Sequence, residues 1–340
     1  MRASEDYTFH DAVSESLKSF LRTLPALPPR SFADHKGTYG KCAIVGGSYG
    51  MGGAMILSGS AALAAGAGLV QLLIPETVLP VVAGLRPEYM TSPLPADSKG
   101  RIALEARNSI GKISASAKSV AMGPGMGRSL GLDVLVSGFY ETVPQPAIFD
   151  ADALNALAAR EAFIQSEDRE IFVNVVPSCP RGARILTPHP GEFKRISGIS
   201  VSSDPRIRRD AAVQFARCAR SLAGSTSFQF VLVLKGAGTV VTDGDRVFIN
   251  ETGNPGMGTG GSGDVLTGVL AAFCALGQSP FDAAVLAVAL HGLAGDLAAR
   301  ELGMESVTAG SLVEYLPRAL VLFRKYRDSE STGILDGTDA

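Results

Sequence analysis

Nothing in the sequence marks a zinc finger, a disulfide framework or a secretory leader. The four cysteines, Cys42, Cys179, Cys218 and Cys274, stand far apart, with no C-x-x-C pair and no histidine at zinc-ligand spacing, so they read as free thiols of a reducing compartment. The first residues (MRASEDYTFHDAVSESLKSF) carry early acids and no continuous apolar run, which predicts no secretory signal and a cytoplasmic protein. An excess of one charge is also missing. With 31 Lys+Arg against 33 Asp+Glu and a net charge of -2, the chain has no electrostatic footprint for nucleic acid. The one long uncharged run, Gly53 to Ile74, is rich in Gly, Ala and Ser, contains Gln71 and is split by Gly66 and Gly68. It predicts a buried helix and then a strand, Leu69 to Ile74, rather than a membrane span.

Two familiar nucleotide motifs are absent as well. A Walker loop needs Gly-Lys followed by Ser or Thr, and the nearest candidate, Gly40-Lys41, is followed by Cys42. The Rossmann G-x-G-x-x-G fails at Met55 after Gly50 and Gly52, and at Arg128 after Gly123 and Gly125. What the sequence does have is glycine: 39 of 340 residues is about 11%, against an ordinary share of about 7%. Backbone is being brought close to something. Hydrophobic residues at 46% and charged residues at 19% exclude wholesale disorder. The length suits two domains of about 150 residues or one large α/β domain.

Residues 1–30 read as an N-terminal extension, with one amphipathic stretch (Val13, Leu17, Phe20, Leu21) closed by Pro25, Pro28 and Pro29. Residues 328–340 are polar and small, a tail expected to fray. Between them, residues 31–327 read as one unit. Short runs of strand character recur at Cys42 to Val45, Leu69 to Ile74, Ser119 to Met122, Ala147 to Phe149, Arg184 to Leu186, Phe230 to Leu234 and Val247 to Ile249. Helical segments separate most of them, among them Ala54 to Ala65, Ala153 to Arg160, Arg206 to Leu222, Asp264 to Ala275 and Phe281 to Ala299. Strands that are apolar throughout, without alternation, are buried on both faces, which a mostly parallel sheet between two helical layers provides. The expected fold is a three-layer α/β/α domain, and the residues just past each strand are where a ligand would sit.

Those post-strand loops are GGSYGMGGA (Gly46 to Ala54), GPGMG (Gly123 to Gly127), DADALN (Asp150 to Asn155), TPHPGE (Thr187 to Glu192), KGAGT (Lys235 to Thr239) and NPGMGTGGSGD (Asn254 to Asp264). The last is the most specific: its glycines run straight into an apolar helix (Val265, Leu266, Val269, Leu270). A glycine turn at a helix N-terminus offers unpaired N–H groups and the positive end of the dipole to a phosphate, so Gly261, Ser262 and Gly263 form a candidate anion hole. Asp264, beside it, reads as the base that takes a proton from a substrate hydroxyl during phosphoryl transfer. Two readings stand for Lys235, a solvated lysine at a strand end or a nucleotide contact. His189, between two prolines, is held at a strand end as a candidate ligand contact, and Glu192 is either a helix-start acid or a holder of hydrated Mg²⁺ on phosphates. Asp150 and Asp152 are caps or site residues. His291, within AVLAVALHGLAG, reads as a core histidine.

Taken together, the loops resemble the NAD(P)H-hydrate dehydratase family of the ribokinase-like superfamily, from HKGTYGKCAIVGGSYGMGGA at His35 through GPGMG, FDADALNAL, ILTPHPGEF and VLKGAGT to NPGMGTGGSGDVLTG and ALHGLAGD. The resemblance implies a ribokinase-like fold and repair of hydrated NADH or NADPH (NAD(P)HX, S epimer) at the expense of ADP or ATP. The ring hydroxyl would be phosphorylated and then lost as phosphate. It also implies that Ala54, Gly125, His189 and Asp264 contact the hydrated dinucleotide, while Lys235, Gly236, Ala237, Gly238, Thr239 and Gly263 contact the nucleotide. A homotetramer is implied, with any epimerase on a separate chain. Vitamin kinases of the superfamily usually place Asn where this chain has His189, which separates the dehydratase reading from its alternative, a kinase for a vitamin precursor. A nucleotide sensor without turnover would have no use for Asp264.

Overall fold

The computed structural model describes residues 13–159, 163–166, 169–172, 180–224 and 227–327. Cys179, residues 1–12 of the extension and the tail expected from residue 328 lie outside the described residues. The strands are β1 (Lys41–Val45), β2 (Leu69–Pro75), β3 (Met90–Leu94), β4 (Ser119–Met122), β5 (Ala147–Phe149), β6 (Phe163–Ser166), β7 (Arg169–Phe172), β8 (Arg184–Leu186), β9 (Phe230–Leu234), β10 (Val240–Thr242) and β11 (Val247–Ile249). Helices α1 (Glu15–Thr23), α2 (Gly52–Ala64), α3 (Leu79–Ala83), α4 (Arg107–Ser114), α5 (Leu130–Thr142), α6 (Asp152–Ala158), α7 (Pro190–Ser197), α8 (Pro205–Leu222), α9 (Ser262–Ala275), α10 (Pro280–Leu302) and α11 (Ala309–Arg327) surround them.

Nine strands make one sheet in the order β11-β10-β9-β8-β5-β4-β1-β2-β3. It is parallel from β3 to β9, and β10 and β11 close it as an antiparallel hairpin. Strands β6 and β7 pair only with each other. Successive strand residues point to opposite faces, and both faces are covered. Cys42, Ile44, Val70, Leu72, Val231 and Val233 pack under α2, α9, α10 and α11, while Ala43, Val45, Val120, Phe149, Leu232 and Leu234 pack under α4 to α8. Burial on both sides is why the central strands are mostly apolar, the few polar side chains in them, such as Gln71, Ser119 and Arg184, being hydrogen-bonded. The chain runs outward from β1 to β2 and β3 and returns to β4 on the other side of β1, so a switch point opens beyond the carboxyl ends of β1 and β4.

The uncharged run from Gly53 divides as expected into α2 and β2. Helix α10 is long and apolar enough to cross a bilayer, yet 89% of its apolar window is buried in the fold. The N-terminal segment is packed rather than appended: Leu21, Leu24 and Leu27 join the core, and Arg327 Nε and Arg324 Nη2 on α11 donate to Leu24 O at 2.8 Å and Pro28 O at 3.0 Å. The prolines that stop α1 lay the following chain against α11. Cys42, Cys218 and Cys274 are free thiols.

Ala151 has φ 49° and ψ −117° and is the one non-glycine residue with positive φ among the described residues. Its neighbours impose this. Asp150 is held by three donors, and Asp152 Oδ2 accepts the Gly127 N–H at 2.8 Å. Such a conformation costs about 1–3 kcal/mol, while a glycine adds roughly 0.5–1 kcal/mol of unfolded-state entropy. Ala151→Gly is therefore expected to stabilise the fold by about 1 kcal/mol, and a melting temperature below wild type would contradict the strain.

Candidate active site

Three post-strand stretches, TPHPGE, KGAGT and the chain from Asn250 to Gly263, converge at the carboxyl edge of the sheet. A cleft of about 660 Å³ opens there, lined by His189, Lys235 to Thr239, Asn250 to Pro255, Ser262, Gly263 and His291, a size in the ordinary range of small-molecule sites. KGAGT is closed on itself by the Thr239 hydroxyl, which donates to Gly236 O at 2.9 Å and accepts the Gly236 N–H at 3.2 Å. Arg208, reaching over from α8, donates to Leu234 O and Lys235 O. The far wall is fixed by Asp296 of α10, which accepts from Gly253 N and Asn254 Nδ2 at 2.8 and 2.9 Å.

Gly261 caps α9 with φ 90°, a left-handed geometry that a side chain rarely adopts. The turn it makes delivers Ser262, Gly263 and Asp264 as the first three helical residues, whose N–H groups face outward. The Ser262 hydroxyl lies 3.4 Å from His291 Nε2. Burial, with the Lys235 charge adding to it, lowers the His291 ring to about 4. His291 is thus a buried neutral imidazole, as its apolar helix suggests, yet it also lines the cleft.

Beneath the turn lies a charge cluster. Lys235 Nζ is 2.7 Å from Asp150 Oδ1 and 3.8 Å from Glu192 Oε2. Burial disfavours its ammonium, but Asp150, Glu192 and Asp264 outweigh that and raise its proton affinity. Burial pushes the Asp264 carboxyl up to about 7. Asp150 and Asp152 act in the same direction and Lys235 opposes them. A carboxylate with this proton affinity, near the operating pH, is suited to general-base work.

His189 sits at the head of α7, where its Nδ1 accepts the N–H groups of Gly191 and Glu192 at 3.0 and 3.4 Å while Glu192 Oε2 accepts the His189 N–H at 2.8 Å. This is a reciprocal capping box. The ring proton is left on Nε2, 3.3 Å from Glu192 Oε1, and half the side chain is exposed to the cleft. Glu192, expected as a helix-start acid or a holder of hydrated Mg²⁺, sits in that first turn with its oxygens 2.8 Å from His189 N and 3.3 Å from His189 Nε2 and with Lys235 Nζ 3.8 Å from one of them. No group of three His, Cys, Asp or Glu side chains among the described residues could hold a metal ion.

Ala54 and Gly125 lie outside the cleft lining, at the switch point. Gly125 has φ 59°, and a Cβ there would come within 3.0 Å of Ala54 Cβ and 2.8 Å of Met51 O, so only glycine lets the GPGMG loop touch the start of α2. Ser48 Oγ ties the loops, donating to Gly125 O at 2.8 Å. The two patches meet at α9: a Cβ on Gly261 would strike Leu57, one turn beyond Ala54.

The chain is similar to known proteins over most of its length. A family model described as NAD(P)H-hydrate dehydratase matches residues 42–318. The bifunctional NAD(P)H-hydrate repair enzyme of Moorella thermoacetica is 40% identical over 295 residues, which is 86% of this chain and 52% of that protein; the chain spans about half the length of such bifunctional relatives. The ADP-dependent (S)-NAD(P)H-hydrate dehydratase of Neisseria meningitidis is 36% identical over 313 residues, 90% of this chain and 93% of that protein. Among solved structures, the ADP/ATP-dependent NAD(P)H-hydrate dehydratase of Bacillus subtilis, co-crystallized with ATP/Mg²⁺, superposes with a TM-score of 0.71 at 28% identity, covering 90% of this chain and 97% of that one. With the family model matching most of the chain and a relative 36% identical over 93% of its own length, the chain belongs to the NAD(P)H-hydrate dehydratase family, built on the ribokinase-like fold.

Proposed function

We propose that the protein dehydrates the S epimer of hydrated NADH or NADPH, consuming ADP or ATP. The observation that carries this reading is the placement of Asp264, a carboxylate of raised proton affinity, in the first turn of α9 directly after Gly263 and beside the Lys235 ammonium. The nucleotide would lie in the cleft over Lys235, Gly236, Ala237, Gly238 and Thr239, its transferable phosphate against the N–H groups of the Gly261–Gly263 turn. The hydrated dinucleotide would reach Asp264 from the switch-point side, past Ala54 and Gly125, and would meet His189 at the edge of the cleft.

Hydroxide leaves the hydrated ring poorly. In this site the ring hydroxyl attacks the terminal phosphorus, its proton passes to Asp264, and the nucleotide departs one phosphate shorter. The ring-nitrogen lone pair then expels phosphate as the C–O bond breaks, and loss of a proton from the neighbouring carbon restores the reduced nicotinamide. Lys235 and the α9 dipole stabilise the charge that gathers on the phosphoryl oxygens. Glu192 would help hold a hydrated magnesium ion arriving with the nucleotide, which would offset charge on the phosphates. The same reading takes residues 31–327 as the catalytic unit of a cytoplasmic homotetramer. The exposed apolar side chains Tyr49, Met51 and Leu130 favour such assembly, and light scattering checks it.

Incubation with hydrated NADPH and each nucleotide tests the activity. Free phosphate with recovery of reduced-nicotinamide absorbance supports it, whereas a stable phosphorylated alcohol made from a vitamin precursor would establish the kinase alternative.

His189 carries a separable prediction. His189→Ala removes both cap and cleft contact, so stability is expected to fall by about 1 kcal/mol and the KM for the hydrated dinucleotide to rise, with the nucleotide KM moving less. His189→Asn restores a good N-cap but not the imidazole. Its melting temperature should return while the dinucleotide KM stays raised, and recovery of both would reduce His189 to a cap.

A further inference from the structure

Asp150 is 1% exposed and is satisfied by donors from three other segments. On Oδ1 it accepts Lys235 Nζ at 2.7 Å and the Thr187 hydroxyl at 2.8 Å, and on Oδ2 the Thr267 hydroxyl at 2.8 Å. Thr187 follows β8, Lys235 follows β9, and Thr267 stands three residues after Asp264 on α9, so Asp150 is tied to the helix that carries the base. Its effect is on where the ammonium goes. Lys235 Nζ lies 3.4 Å from the point where a Cβ on Gly263 would stand, and Asp150 Oδ2 lies 3.7 Å from it, directly under the turn that is to hold phosphate. An ammonium there faces competing carboxylates: Asp150 after β5, Glu192 on α7 and Asp264 on α9 all act on it. Glu192 already accepts the His189 N–H.

We propose that Asp150 is a positioning residue for phosphoryl transfer, pinning the Lys235 ammonium beneath the Gly263 turn and keeping it from closing an ion pair on Asp264. The inference deepens the function proposed above and rests on it. An ammonium paired to Asp264 would lower the proton affinity of that carboxylate, leaving it ionised but a weaker acceptor for the hydroxyl proton. Held by Asp150, whose carboxylate the two threonine hydroxyls fix in turn, the same ammonium can turn its outer side to the phosphoryl oxygens. The charged groups facing Asp264 are Asp150, Asp152 and Lys235; behind Lys235 stand Glu192 and the neutral His291.

The test is Asp150→Asn in the full chain, with Thr267→Val, which removes one hydroxyl and keeps the charge, as its control. Asp150→Asn should lower kcat about 10²-fold, change the nucleotide KM by less than about threefold, and move the acid limb of the pH–rate profile downward by roughly one unit or more. Thr267→Val should leave that limb near its wild-type position. Wild-type kcat and an unmoved limb in Asp150→Asn would overturn the proposal, whatever the melting temperature does. If Asp150→Asn does not fold, Lys235→Gln decides: the acid limb should rise once the ammonium is gone, and an unmoved limb overturns the proposal. If the wild-type protein itself fails to dehydrate the hydrate with either nucleotide, the functional reading falls separately. Carbon-13 NMR titration of the Asp264 carboxyl then separates pinning from loss of the Asp150 charge: Asp150→Asn is expected to lower the midpoint more in the wild-type background than in a Lys235→Gln background, and an equal lowering in both contradicts the proposal.

Discussion

Asp264→Asn is expected to abolish dehydration and leave the nucleotide bound. The amide keeps the size of the carboxylate and the start of α9 but cannot accept the hydroxyl proton, a loss that for general bases amounts to about 10²- to 10⁴-fold. Nucleotide affinity rests on KGAGT and the α9 turn, which the change does not touch. The pH dependence follows from the same group. As a base, Asp264 must be ionised, so the wild-type rate falls as pH drops through about 7. Stability runs the other way. The folded carboxyl is pushed above its usual 3.8, so its contribution to stability is complete below that value and is lost as pH rises through about 7. Asp264→Asn should therefore melt a few degrees above wild type at pH 8, with no such gain at pH 4. Near wild-type turnover in the variant would remove Asp264 from the chemistry.

Gly263→Val should cost both nucleotide affinity and rate. The position is helical with no left-handed requirement, so what matters is space: a first carbon would sit 3.4 Å from Lys235 Nζ and 3.7 Å from Asp150 Oδ2, ordinary contact. Gly263→Ala is accordingly expected to be mild. The two methyls of valine reach further and occupy either the ammonium's place or the phosphate's. A loss of at least about tenfold in nucleotide affinity and about 10²-fold in rate is expected, roughly 1.4 and 2.7 kcal/mol. A folded Gly263→Val with an unchanged nucleotide dissociation constant would contradict the phosphate site at this turn.

Much of this was legible in the residues. Seven of the strands stand where apolar runs bounded by glycine and polar loops place them; for the six central ones burial on both faces keeps the runs largely apolar, while β11 is an exposed edge strand recognised from its short run alone. Strand β3 escapes that logic. Met90–Leu94 is an edge strand with Pro93 and partial exposure, which an edge tolerates and a central strand does not. Strand β10 spans only three residues, and α11 hides behind Pro317 inside the helix. Among the site residues, His189, Lys235 to Thr239, Ser262 and Gly263 could be singled out because each loop displays its own chemistry. Asp150 could not be told from a cap, since its partners lie 37, 85 and 117 residues away. Arg208 is hidden for the same reason: it reads as one charge of an amphipathic helix until α8 is laid against KGAGT.

The central claim is that the ring hydroxyl leaves as phosphate after transfer from the nucleotide. Labelling that hydroxyl of the S hydrate with oxygen-18 and following the isotope through turnover tests it most directly. Phosphorylation before elimination places the label in inorganic phosphate, one labelled oxygen per reduced nicotinamide recovered. Label appearing in water, with phosphate unlabelled, would mean that the hydroxyl departs without ever being phosphorylated, and the roles of Asp264 as base and of Lys235 and the α9 turn as phosphate holders would fall with it.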